Sequence, residues 1–220
     1  MLGRADGVLG EVVLRERPGE AGPVYELILN GVFLMDTAET TTERLLAGAV
    51  LARHRDPRRV LVGGLGLGCT LAELLDDPRV RRVAVVEIEP LLVGWLRAGL
   101  VPGAERLLAD PRVRVEVADV REWLADGVDD PYDAILLDVD NGPGFLVHQR
   151  NAAVYEPAGL AAAARALRPG GLLAVWSADR APRLRADLSD MVGATGVVHR
   201  RVRRQGRELD YYLYVAVRPG

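Results

Sequence analysis

Val60-Leu61-Val62-Gly63-Gly64-Leu65-Gly66-Leu67-Gly68 is the stretch on which the reading of this chain turns. An apolar run of strand length passes into a glycine-rich turn, and the residues after it, Thr70–Leu75, have helical spacing. Glycines there let the backbone approach a ligand closely, and the N-terminus of the next helix offers unpaired N–H groups and a partial positive charge. Such glycines also end strands that bind nothing, so the turn alone decides little.

Its surroundings decide more. A second apolar strand, Arg82–Glu87, ends in a carboxylate nineteen residues beyond Gly68, where a nucleotide ribose needs a partner with two acceptors. A third, Val113–Val117, leads into Asp119 and Val120; Asp119 suits an adenine amino group and equally suits capping the helix that follows. A fourth, Ala134–Asp138, delivers Asp138 and Asp140 at its carboxyl end, the side on which open α/β sheets bind ligands. Carboxylates crowded in a crevice raise one another's pKa, a common mark of a functional site. The candidate cofactor-binding set is therefore Gly64, Leu65, Gly66, Gly68, Glu87, Ile88, Asp119, Val120 and Asp138. The candidate catalytic groups are Asp138, Asp140, and His148 and Tyr155 in the segment that follows.

Further strands are expected at Leu172–Trp176, Gly196–Arg203 and Asp210–Val217, and helices at Thr37–Ala52, Pro90–Leu100, Arg121–Ala125, Tyr155–Leu167 and Arg183–Val192. The last two strands are close enough to form a hairpin. A seven-stranded, mostly parallel sheet closed by an antiparallel hairpin is the class I methyltransferase-like variant of the Rossmann-like α/β fold. Ahead of it, Val8–Arg17 and Val24–Met35 read as strands of a short β-extension. The expected division is 1–36 for that extension and 37–220 for the α/β domain, for which the likeness to class I methyltransferases implies binding of S-adenosyl-L-methionine (AdoMet).

Composition agrees with one globular unit: 220 residues, 49% apolar and 27% charged. A single cysteine, Cys69, and histidines far apart at 54, 148 and 199 argue against a metal site. The net charge is −3, and all 28 basic residues are arginine, which reads as a compositional bias. The cluster from His199 to Arg207 lacks interleaved aromatics and reads as a solvated hairpin turn, so no nucleic-acid partner is expected. No apolar run is long enough for a membrane span or a signal peptide, which points to the cytoplasm. The open edges of the N-terminal strands suggest a homodimer.

The chain resembles the spermidine/spermine synthase family, aminopropyltransferases built on the class I AdoMet-dependent methyltransferase fold. The likeness runs through LILNGVFLMD, VLVGGLGLGCTLAEL, VRRVAVVEIEP, DPRVRVEVADVREWL, YDAILLDVDNGP and YEPAGLAAAARALRPGGLLAVWS. It implies that Glu87 holds the ribose hydroxyls, that Asp119 and Val120 hold the adenine, and that Asp138 faces the reacting amine; it also implies dimerisation through the N-terminal region. There are departures. The family's glycine loop usually reads GGGDGG, and its aspartate, which binds the aminopropyl amine, is matched here by Leu67. The acidic loop reads Asp138-Val139-Asp140-Asn141 in place of D-S-S/T-D-P, and Ala38–Glu43 lacks the tyrosine of the D-E-x-x-Y pattern. These differences turn the expectation toward methyl transfer from AdoMet to a small-molecule acceptor, with Asp138 as base. The alternatives are aminopropyl transfer from decarboxylated AdoMet, and a non-catalytic adenosine-nucleotide binder.

Overall fold

The computed structural model describes residues 1–144, 146, 149–204 and 206–220, without the side chain of Gln149. The chain begins as an antiparallel meander of β1 (Gly3–Gly7), β2 (Gly10–Gly19), β3 (Gly22–Leu29) and β4 (Val32–Asp36), and α1 (Thr41–Leu51) leads out of it. The second sheet contains β5 (Arg59–Gly63), β6 (Arg82–Glu87), β7 (Val113–Val117), β8 (Tyr132–Leu137), β9 (Leu167–Ser177), β10 (Thr195–Arg204) and β11 (Arg207–Val217), in the order β10-β11-β9-β8-β5-β6-β7. Pairing is parallel from β9 across to β7 and antiparallel on both sides of β11. This is the class I methyltransferase-like α/β fold. Between strands run α2 (Cys69–Leu75), α3 (Pro90–Arg97), α4 (Ala104–Leu108), α5 (Val120–Ala125), α6 (Ala152–Tyr155), α7 (Pro157–Ala166) and α8 (Pro182–Met191).

Strand composition matches strand position. In β8 every residue is buried, as a central strand covered on both faces requires, whereas β7 at the sheet edge exposes Val117. Strand order reverses at β5, which pairs with β8 on one side and β6 on the other, so a crevice opens at the carboxyl ends there. The first sheet is not packed by itself. Its Leu14, Leu27 and Met35 share one apolar cluster with Leu46 of α1, Val60 of β5 and Leu96 of α3. The other face of the large sheet, through Leu61, Ile135 and Leu173, packs on α5, α7 and α8.

Several elements differ from the sequence expectation. Strand β1, GRADG, has no apolar alternation and is held by its ladder with β2, in which Gly3 faces Leu14. Helix α4 was also unexpected; it is one short turn entered through Gly103 at φ +88°. The single helix expected over Tyr155–Leu167 is broken at Glu156, which Pro157 forces into an extended conformation (φ −75°, ψ 157°). Leu167 then already belongs to β9, paired with Tyr132.

Candidate active site

The carboxyl ends of β5, β6, β7 and β8 form the floor of a cleft of about 1040 Å³, and the N-terminal sheet forms its apolar wall through Leu9, Val12, Leu27, Leu29 and Leu34. Gly64, at the tip of β5, has φ +91°, and a Cβ placed there would lie 2.3 Å from the carbonyl oxygen of Asp138. Only glycine lets the two strand ends approach this closely. The Gly64 N–H donates to Val86 O at 2.9 Å, and the Asp138 N–H donates to Gly63 O at 2.8 Å, so the ladder itself sets this floor. Gly66, at φ +51°, also lines the cleft, and Met35 Sδ lies 2.6 Å from where its Cβ would be.

Glu87 is buried at the end of β6. Its Oε2 accepts the Leu65 N–H at 2.7 Å and its Oε1 accepts the Glu89 N–H at 2.8 Å. Burial pushes its carboxyl above the usual range, and these backbone donors oppose that rise. A carboxylate has about four lone-pair sites, so the bonds that hold the glycine turn leave capacity for a diol. Ile88 lines the cleft beside it. Glu89 caps α3 by accepting the Leu91 N–H at 3.0 Å and accepts the Val8 N–H at 2.8 Å, joining the N-terminal sheet to the site. Asp119 caps α5 through the Arg121 N–H at 2.8 Å and still lines the cleft with Ala118 and Val120. Capping and ligand contact are compatible in this geometry.

The opposite end is acidic. Thr70 Oγ1 donates to Asp138 Oδ2 at 2.8 Å and lies 3.2 Å from the carbonyl oxygen of Glu43, a residue of α1 that also lines the cleft. Desolvation pushes the Asp138 carboxyl up to about 7, and the charge of Glu43 adds to the rise. Glu43 accepts from Thr42 Oγ1 at 2.8 Å and is raised chiefly by its own burial. Asp140, at φ +50°, accepts from Asn151 Nδ2 at 2.7 Å, and both residues line the cleft. Trp176, at the end of β9, lines the same region.

Three of the proposed site residues, Leu65, Gly68 and Tyr155, lie elsewhere. Leu65 and Leu67 are buried in the apolar core, and Gly68 sits behind the cleft as the N-cap of α2 beside Leu107. Of the turn residues, Gly64 and Gly66 line the cleft. Tyr155 is buried beneath the acidic loop, where its hydroxyl donates to the carbonyl oxygen of Val139; burial and the nearby Asp140 push its pKa well up. It anchors the loop and does not reach the cleft. His148 lies outside the described residues. Among the described residues there is no group of three or more histidine, cysteine or acidic side chains able to hold a metal, and no helix is long and apolar enough to cross a membrane.

Sequence reasoning missed Glu43, Met35, Asn151 and Trp176. The signal for Trp176 was its place at the carboxyl end of a parallel strand. Glu43 had a signal only as part of a stretch compared with a family pattern.

A spermine/spermidine synthase domain model matches residues 39–193. The chain is 33% identical over 156 residues to polyamine aminopropyltransferase 2 of Pseudomonas aeruginosa, covering 68% of this chain and 42% of that protein. It is 36% identical over 120 residues to polyamine aminopropyltransferase of Mycobacterium tuberculosis, covering 54% of this chain and 22% of that protein. The matched region thus spans less than half of either relative. Among solved structures, a spermidine synthase in complex with the transition-state analogue AdoDATO superposes with a TM-score of 0.82 at 19% identity, over 98% of this chain and 72% of that one. Human methyltransferase-like protein 13 in complex with SAH gives 0.60 at 23% identity, over 81% of this chain and 82% of that one. These findings overturn the expectation of methyl transfer, since the matching domain and the curated relatives carry the names of polyamine synthases. That expectation rested on the departures at Leu67, in the acidic loop and in Ala38–Glu43, and the weight given to Leu67 assumed that the glycine turn is the only place for a counter-charge to an amine; Glu43 on α1 supplies another carboxylate to the cleft.

Proposed function

The chain belongs to the spermine/spermidine synthase family, and from that premise we propose that it transfers an aminopropyl group from decarboxylated AdoMet to a small-molecule amine. The observation that carries this reading is the polarity of the cleft. At one end Glu87, Ile88, Asp119 and Val120 suit an adenosine, and at the other Glu43, Asp138 and Asp140 suit cationic amines. The close approach at Gly64, which a side chain would fill, fits a nucleoside lying across the strand ends.

When bound, the sulfonium of decarboxylated AdoMet supplies an electrophilic carbon and a neutral thioether leaving group. The protein's own residues have three tasks. Glu87 and Asp119 fix the nucleoside against the strand ends. The N-terminal sheet, through Leu27, Leu29 and Leu34, walls the reacting region from water. Asp138 takes the proton from the attacking amine: the nitrogen forms its bond to carbon, the carbon–sulfur bond breaks, and sulfur keeps the electron pair. A carboxyl raised to about 7 is ionised in part at neutral pH and is a stronger base than an ordinary aspartate.

Residues 37–220 form the catalytic domain in this reading, with 1–36 as the extension that closes one wall. A homodimer belongs to it too, supported by Met1, Leu2 and Val8, apolar residues exposed on the extension, and so does a cytoplasmic location, supported by the single cysteine. The test is incubation with decarboxylated AdoMet and a panel of diamines and polyamines. Release of methylthioadenosine with a matching aminopropylated amine is expected. No release with any amine, under conditions where the nucleoside binds, overturns the proposal.

A further inference from the structure

We propose that Glu43 is the counter-charge that makes the site select a donor ending in a bare ammonium: with Asp138 beside it, it receives the primary amine of the aminopropyl arm and repels the carboxylate of intact AdoMet. This rests on the aminopropyl-transfer reading and names the residue that sets donor specificity.

The cleft carboxylates are not equivalent. Glu87, Glu89 and Asp119 each accept backbone N–H groups that start a helix or hold the glycine turn. Asp140 accepts from the Asn151 amide. Glu43 and Asp138 accept from hydroxyls, Thr42 Oγ1 and Thr70 Oγ1. Among the described residues no arginine forms an ion pair with either. Arg204 is the cation that acts electrostatically on Glu43, and part of its guanidinium is engaged elsewhere: it donates to Glu39 O at 2.8 Å, lies 3.7 Å from Asp36 Oδ1 and lies over Phe33. Two neighbouring carboxyls drawn away from water and without an ion-paired cation are unfavourable in their ionised form. Both are accordingly held above the usual carboxylate range, chiefly by burial, and the charge of Glu43 adds to the rise at Asp138. An entering ammonium relieves this at both groups.

Two further features place the cation here. The Leu67 side chain is 4% exposed and turned into the core, so the glycine turn brings no side-chain charge to the cleft. Trp176 borders the same end; its ring lies 5.3 Å from that of Tyr211, and Glu43 acts electrostatically on Tyr211. Trp176 Nε1 is buried without a partner among the described residues, and its ring face is suited to an alkylammonium. The other charged and titratable groups around the pair are Glu39 and Asp36 before α1, Arg44 on it, and Cys69, Tyr155 and Asp140 from below. Among the described residues, Glu43 and Asp138 both line the cleft, each accepts from a threonine hydroxyl, and neither is in an ion pair.

Calorimetric titration of the wild-type chain and Glu43→Gln with decarboxylated AdoMet, AdoMet and methylthioadenosine tests the inference, repeated in buffers of different ionisation enthalpy to count protons released. The wild type is expected to favour decarboxylated AdoMet and to release protons on binding it. Glu43→Gln is expected to lose about tenfold or more of that preference, to release fewer protons and to bind methylthioadenosine as before. An unchanged preference in Glu43→Gln, with the wild type transferring aminopropyl groups, overturns the role of Glu43 and leaves the reaction standing. A wild type that neither favours decarboxylated AdoMet nor transfers its aminopropyl group overturns the reaction itself and the inference with it. Should Glu43→Gln fail to bind methylthioadenosine, Glu43→Asp decides: its retracted carboxylate lowers the preference if Glu43 meets the ammonium and leaves it unchanged if not.

Discussion

Asp138 and Glu87 are both carboxylates at strand ends, and their surroundings divide the work between them. Glu87 is tied to two backbone N–H groups, which favours a fixed acceptor, whereas Asp138 has a hydroxyl donor and an acidic neighbour, which favours a group that takes up and gives back a proton. Asp138→Asn keeps the size and removes the base. Its kcat is expected to fall about 100-fold or more with nucleoside affinity nearly unchanged. In the wild type, kcat/KM should rise with pH through a step near 7, as Asp138 loses its proton; in Asp138→Asn that step should vanish, which a pH–rate profile of both proteins measures. The effect on stability has the opposite sign. Asp138 in the folded chain holds its proton at higher pH than in the unfolded chain, so its contribution is full below about 4 and is lost as pH rises toward 7. The raised carboxyls of Glu43 and Glu87 act in the same direction.

The acidic loop after β8 shows how elements position such groups. Gly64 allows β5 to touch Asp138 O, Thr70 of α2 holds the Asp138 carboxylate, and Tyr155 of α6 holds Val139 O from beneath. Tyr155→Phe removes only the last of these and leaves Val139 O with only the longer bond from the Gly142 N–H at 3.4 Å. A stability loss of about 1–3 kcal/mol is expected, measured by denaturant unfolding, with Asp138→Asn far more damaging to kcat than Tyr155→Phe. A kcat loss in Tyr155→Phe equal to that of Asp138→Asn, at unchanged stability, would instead make the hydroxyl a participant in the reaction. Helix α1 carries the same lesson on the other wall: its Leu46 and Val50 are fully buried, and that packing turns Glu43 toward the cleft.

At the scale of the molecule, the N-terminal sheet and the larger sheet share one core, so the extension is both a structural part and a wall of the site. Leu14, fully buried in β2, reports on this coupling. Leu14→Ala should lower the stability of the whole chain by about 2–5 kcal/mol and keep a single unfolding transition in calorimetry. A separate early transition would show that the two sheets unfold independently.

Much of the fold is local and was therefore legible in the chain. Apolar runs spaced by amphipathic segments give the strands β5, β6 and β8 and most of the helices, because burial on both faces demands that pattern, and the edge strand β7 keeps an apolar alternation. The strand-end positions of Glu87, Asp119 and Asp138 follow from the same pattern, since a residue at the carboxyl end of a parallel strand has little choice of surroundings. Strand β1 has too few apolar residues and helix α4 is too short to show a period, and both exist through tertiary pairing and packing. Glu43 and Trp176 meet Asp138 only after α1 and β9 have packed across the sheet, joining residues far apart in sequence. The turn residues Leu65, Leu67 and Gly68 were separated from Gly64 and Gly66 by a choice of side that spacing does not encode. Periodicity fixes which residues are buried and where strands end; which buried carboxyl faces another is settled only when distant elements compete for the same space.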